Sequence, residues 1–169
     1  MTAKGKILVL IDWENLIISI KANFPGNFSL TAGINRLKKW IELEGEILGF
    51  FVFAPLHILK TYSDLFYKNG FIAICCPKVA SEKRKEIDTT DEIIIIFGEK
   101  MIATMPELTH LCIASGDIGI KPLIEQATRK GLKIMIAAGH FDSLANELID
   151  LASRSQSGKL IHMFDPKKS

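Results

Sequence analysis

With 169 residues and 48% hydrophobic content, the chain can bury a substantial core without disulfides or a structural metal, and one domain over 1–169 is expected. A formal net charge of +2 leaves neither sign dominant, so any nucleic-acid surface must be a local patch. The polar opening residues, and the acids that break the first apolar run, argue against a signal peptide or membrane span and predict a cytoplasmic protein.

The first element is Ile7-Leu8-Val9-Leu10-Ile11, too short for a helix and apolar throughout, which predicts a strand buried on both faces in a parallel sheet. Asp12 stands where that strand ends, the edge at which open α/β sheets bind ligands. Capping of the next helix would explain the same acid. Residues 16–22 are predicted helical and are closed by Asn23-Phe24-Pro25-Gly26-Asn27. A second helix runs from Thr31 to about Gly45, with Ile34, Leu37 and Ile41 at helical spacing, and a continuously apolar strand follows over 46–54. Residues 56–68 form a third helix stopped by Asn69-Gly70, and 71–76 a third strand closed by Pro77.

Lys78, Lys83, Arg84 and Lys85, with few large apolar neighbours, predict a solvated basic loop over 78–85. Locally, 93–97 favours a strand. Over a longer window Ile87, Asp91, Ile94, Phe97, Met101, Ile102 and Met105 fall near helical spacing, and Thr89 with Glu92 matches a capping box, so a buried helix is predicted. A fourth strand over 109–115 runs into a Gly116-Asp117 turn. A helix then begins near Pro122 and stops at Gly131, and a fifth strand covers 132–138. Asp142 or Ser143 is expected to cap a last helix, and 159–164 adds a short edge strand. Strands alternating with helices at short spacing predict an α/β fold: a three-layer α/β/α sandwich with a mainly parallel central sheet. Cys75, Cys76 and Cys112 lack paired metal-ligand spacing and read as reduced core residues, and the four histidines are scattered.

Three acids share one kind of position. Asp12 follows the first strand, Asp117 follows the fourth, and Asp88 begins the helix after the basic loop. Carboxylates gathered on one sheet edge repel one another unless a cation neutralises them, and oxygen ligands without Cys or His favour Mg2+ or Mn2+. Such an ion activates water and stabilises charge on a phosphate, which suits phosphodiester hydrolysis, with the basic loop (Lys78, Lys83, Arg84, Lys85) holding a nucleic-acid backbone. Blander readings remain beside this one. Asp88, Asp91 and Glu92 suit a helix N-terminus, Asp117 a Gly-Asp turn, Glu14 a solvent-facing position, and His140 a turn that could reach the same edge.

Ile-Asp-Trp-Glu-Asn at 11–15, Lys-Glu-Ile-Asp at 85–88 and Ala-Ser-Gly-Asp at 114–117 resemble, in order and approximate spacing, the signatures of NYN domains, a branch of the PIN-like nucleases. The likeness runs from Ile7 to about Ala152. It implies a PIN-like sandwich, metal-dependent ribonuclease activity on RNA, metal ligation by Asp12, Asp88 and Asp117, and an Asn15 that orients Asp12 or contacts the scissile phosphate. The last signature usually carries a second aspartate where this chain has Gly119, and the central helix lacks an obvious second acid unless Asp91 or Glu92 substitutes. The alternative is a catalytically weakened or inactive NYN-like module that binds RNA or a protein partner, in which an acid restored at position 119 would raise activity. A nucleotide binder of the doubly wound kind is disfavoured, because no Gly-rich loop follows the first strand and Asp12 and Glu14 would repel a pyrophosphate. A homodimer is compatible with a small apolar-rich domain but rests on no specific residue.

Overall fold

The computed structural model describes residues 4–24, 26, 28–80, 86–155 and 161–163. The apolar run at 7–11 becomes the centre of β1 (Gly5–Asp12), which pairs in parallel with β2 (Gly45–Ala54) on one side and with β6 (His110–Ala114) on the other. Beyond β2 lies β3 (Ile72–Cys75), and beyond β6 lie β7 (Lys133–Ala138) and β8 (Ile161–Met163). The sheet order is β3-β2-β1-β6-β7-β8, with every pair parallel.

Successive side chains of β1 enter opposite cores, as the pleat requires. Ile7, Val9 and Ile11 pack with α1 (Trp13–Asn23), α2 (Leu30–Glu42) and α3 (Leu56–Asn69), through Leu16, Ile34, Leu37 and Phe66 among others. Leu8 and Leu10 pack on the other face with α4 (Thr90–Thr104), α5 (Lys121–Arg129) and α6 (Asn146–Arg154), through Ile94, Leu123, Ile124 and Leu148. Each fully buried aliphatic side chain of this kind contributes about 1.5–3 kcal/mol. These are the three expected layers.

Local signals set the helix ends. Ser29 accepts the Ala32 N–H at the start of α2, Gly70 ends α3 in the left-handed region, and Pro122 lies in the first turn of α5. The isoleucine run at 93–96 is helical, as the longer window predicts, with Ile94, Gly98 and Ile102 forming its buried stripe. A Cβ on Gly98 would come within 2.6 Å of Leu123 and 3.2 Å of Leu10, so this glycine lets α4 press against β1 and α5.

Four expectations need correction. The stretch 78–85 is not simply loop, because β4 (Lys78–Ala80) pairs antiparallel with β5 (Glu86–Asp88), Lys78 opposite Asp88. Thr89 is the N-cap of α4 but makes no capping bond with its side chain; its hydroxyl donates to the Pro77 carbonyl at 2.6 Å instead. Ala145, not Asp142 or Ser143, is the N-cap of α6. Those two residues belong to a short 3-10 turn in which the Ser143 hydroxyl donates to the His140 carbonyl and pairs with Ser19. Cys75 is exposed, because β3 is an edge strand; Cys76 and Cys112 are buried, and all three thiols are free.

The chain builds β1, β2 and β3 outward in one direction, then returns through the β4–β5 ribbon and α4 to lay down β6 on the opposite side of β1. Strand order therefore reverses between β1 and β6. In open α/β sheets the crevice outside the carboxyl ends of such a strand pair is where ligands bind.

Candidate active site

Asp12 closes β1 and caps α1, its Oδ1 accepting the Asn15 N–H at 3.0 Å. Capping and a place in the crevice are thus compatible for this residue. Its side chain is buried, with 6% of the residue exposed. Burial drives its pKa up to about 7, against the opposing Asn15 N–H, and the negative charges of Asp91, Asp88 and Asp117 push the same way. Only neighbouring acids could act so, and all four line one cleft of about 330 Å³.

Each acid arrives from a different element. Asp88 ends β5, and its Oδ1 accepts the Thr90 N–H at 2.9 Å. Partial burial raises its pKa, but Thr90 and the positive charge of Lys78 outweigh that and hold the carboxyl below the usual range. Asp91 sits in the first turn of α4, where burial, then the charges of Asp117 and Asp88, lift it to about 6. Asp117 leaves β6 through Ser115 and Gly116; its N–H donates to the Ser115 hydroxyl at 3.2 Å, and its Oδ1 accepts the Gly119 N–H at 3.0 Å.

Asn15 joins two of these elements. Its backbone donates to Asp12, and its side-chain Oδ1 accepts the Gly116 N–H at 3.2 Å, tying the start of α1 to the exit of β6. Glu14 is not a free surface acid: it lines the cleft and pairs with Lys78 at 3.4 Å. Lys78 is therefore held at the rim from β4. Lys83, Arg84 and Lys85 lie outside the described residues. His140 does not line the cleft; its Nδ1 accepts the Asp142 N–H and its ring stands 5.8 Å from Phe24.

Asp91 is the site residue the three sequence signatures do not contain. A Cβ on Gly119 would overlap Asp91 Oδ2, with Asp91 Cγ at 2.8 Å and Asp117 Oδ1 at 3.5 Å. The carboxylate of Asp91 thus occupies the volume that a side chain at 119 would take, whereas Glu92 is exposed and outside the cleft. The sequence signal is an acid three residues beyond Asp88, in the first turn of the helix that follows.

The donors are four carboxylates and the buried Thr90 hydroxyl, which also reaches the Asp88 carboxylate. An all-oxygen set of this kind suits a hard divalent cation. As placed, no three His, Cys, Asp or Glu side chains among the described residues are close enough to hold an ion. The donor chemistry fits a metal, and the carboxylates stand further apart than in a closed coordination shell.

Fold and cleft together define a three-layer α/β protein with an acidic crevice at the carboxyl edge of its sheet. The family model of the NYN domain matches residues 6–157, and the chain belongs to the NYN domain family, within the PIN-like nuclease superfamily. Among solved structures, the chain is similar to a protein of unknown function from Vibrio parahaemolyticus, with a TM-score of 0.77 and 17% identity over 98% of this chain and 96% of that one. That likeness shows the fold. No curated protein matches the chain.

Proposed function

We propose that the protein is a divalent-metal-dependent ribonuclease whose reaction centre is the cleft between the ends of β1 and β6. The observation that carries this reading is the collection of Asp12, Asp88, Asp91 and Asp117 from four separate elements into one cleft, with Asp12 and Asp91 lifted toward neutrality by burial and mutual repulsion. In this reading Asp12, Asp88 and Asp117 hold Mg2+ or Mn2+, and Asp91 supplies the acid absent at position 119. A bound ion would lower the pKa of a water ligand and offset charge growing on the phosphate.

The chain's own residues then divide the remaining work. Asn15 ties the start of α1 to the loop after β6, and so Asp12 to the segment carrying Asp117, through its two hydrogen bonds. Lys78 stands at the rim to meet a phosphate, a contact that holds the RNA backbone without reading sequence; Lys83, Arg84 and Lys85, assigned the same role in this reading, lie outside the described residues. Hydrolysis forms a bond from water oxygen to phosphorus and breaks the bond to one ribose oxygen, which leaves with a proton. Among the described residues no helix is long and apolar enough to cross a membrane.

One observation favours a second reading. The acids as placed do not close around a common point, which suits a module that binds RNA and cleaves it weakly or not at all. Incubating the purified protein with labelled single-stranded RNA and Mn2+ separates the two. The nuclease reading expects cleavage that EDTA stops and that Asp12→Asn and Asp117→Asn abolish. Cleavage that survives both substitutions rejects this site, and binding without cleavage supports the second reading.

A further inference from the structure

Beside the acidic cleft, at the carboxyl ends of β2 and β3, lies a second hollow of about 560 Å³, within the ~300–1,000 Å³ range of cavities that take small ligands. We propose that this groove is the subsite for the stretch of single-stranded RNA adjoining the scissile phosphate. The inference rests on the ribonuclease reading and deepens it by assigning a direction and a strandedness to the substrate.

Three observations carry it. The groove adjoins the cleft, with Lys78 lining both. Its charge is opposite: the cleft has four aspartates and Glu14, whereas the residues lining the groove include Lys60, Lys78 and His57 and no acid. No side chain caps the N-terminus of α3, which opens onto the groove at Leu56 and adds its positive field to the two lysines. A polyanion lying in the groove is attracted along its length, and its backbone is led toward the cleft rather than repelled before reaching it.

The remaining walls choose between single and double strands. Pro77 and Leu56, the latter 56% exposed, give apolar surface in a polar setting. A duplex hides its base faces and offers these groups only phosphate and sugar, whereas an unpaired strand can lay bases against them while its phosphates meet Lys60 and Lys78.

Cys75 supplies a direct readout. It lines the groove as the one exposed thiol, Cys76 and Cys112 being buried. The test follows the rate of Cys75 alkylation and the fluorescence anisotropy of a short labelled RNA on the full chain, in EDTA so that nothing is cleaved. The inference expects tighter binding of the single strand than of its duplex and severalfold slower alkylation of Cys75 when the single strand is bound. It also expects Lys60→Ala to weaken binding by roughly threefold to tenfold, with the salt slope reduced by about 0.7, the loss of one phosphate contact on a single strand. Leu56→Ser should lower single-strand binding and leave duplex binding unchanged. RNA that binds without protecting Cys75, or that is indifferent to both substitutions, overturns the groove assignment and leaves the nuclease reading standing. A wild-type chain that binds no RNA in EDTA overturns the groove assignment, and one that in addition cleaves no RNA in Mn2+ overturns the nuclease reading as well.

Discussion

The carboxylate of Asp91 lies over the α-carbon of Gly119, in the volume that a side chain at 119 would need. The two residues are far apart in sequence, one in the first turn of α4 and the other in the turn after β6, yet they compete for one place in the cleft. A chain lacking the family's second aspartate at 119 thus keeps a carboxylate at that spot by delivering it from a different element.

This relationship reverses a simple expectation. An acid at position 119 restores the family pattern in sequence, but in the folded chain Gly119→Asp must displace Asp91 and bring a sixth carboxylate into the cleft. We expect Gly119→Asp to swing Asp91 aside and, through the added like charge, to be less stable than wild type by on the order of 1 kcal/mol and less active. Combining it with Asp91→Ala should recover stability, and activity should follow. Thermal denaturation and RNA cleavage on the single and double variants check this.

Asp12 makes metal-free stability depend on pH with a definite sign. Its folded pKa of about 7 lies above the ordinary 3.8, so the native state binds more protons than the unfolded chain between those values. Stability from this residue is therefore greatest at low pH and is lost as pH rises toward about 7. Asp12→Asn removes the charge and keeps a good N-cap for α1. In EDTA at about pH 8 it should stabilise the protein, on the order of 2 kcal/mol after relaxation, with the gain shrinking toward pH 4. Denaturant titrations at several pH values measure it.

Asn15 ties Asp12 to Gly116, and its loss should separate stability from catalysis. Asn15→Ala removes the acceptor of the Gly116 N–H, which costs about 1 kcal/mol. The loop carrying Asp117 is then no longer fixed to the start of α1. Cleavage should fall at least tenfold while RNA affinity stays within about twofold, which anisotropy and single-turnover rates resolve.

Gly98 tests the packing that places α4, and with it Asp91. In an exposed helix, alanine in place of glycine stabilises by about 1 kcal/mol. Here the added methyl would meet Leu123 at 2.6 Å and Leu10 at 3.2 Å, so Gly98→Ala should instead destabilise, by about 1–3 kcal/mol. A rise in melting temperature would show that α4 does not pack as closely as described.

Much of this architecture is legible in the residues themselves. The five aliphatics of β1, the heptad-like Ile34, Leu37 and Ile41, Gly70 and Pro122 each fix an element through local physics. The β4–β5 ribbon is not legible, because Lys78-Val79-Ala80 buries no face and is held by backbone pairing. Capping also misleads where a hydroxyl finds a tertiary partner, as Thr89 does at Pro77 and Ser143 at Ser19. In the cleft, Asp12 and Asp117 can be named from their places after strands, and Asp88 from its place just before the long buried helix. The part of Asp91 depends on two distant segments sharing one volume, and spacing along the chain does not encode that.

The central claim is that these acids gather enough negative charge to capture a cation. Anomalous diffraction from crystals soaked in Mn2+ measures it most directly. The account predicts a manganese peak in the cleft with carboxylate oxygens of Asp12 and at least one of Asp88, Asp91 and Asp117 drawn to about 2.2 Å, the range of hard-cation ligands. A cleft that stays free of manganese in the soaked crystal, with the metal bound elsewhere or not at all, would contradict it.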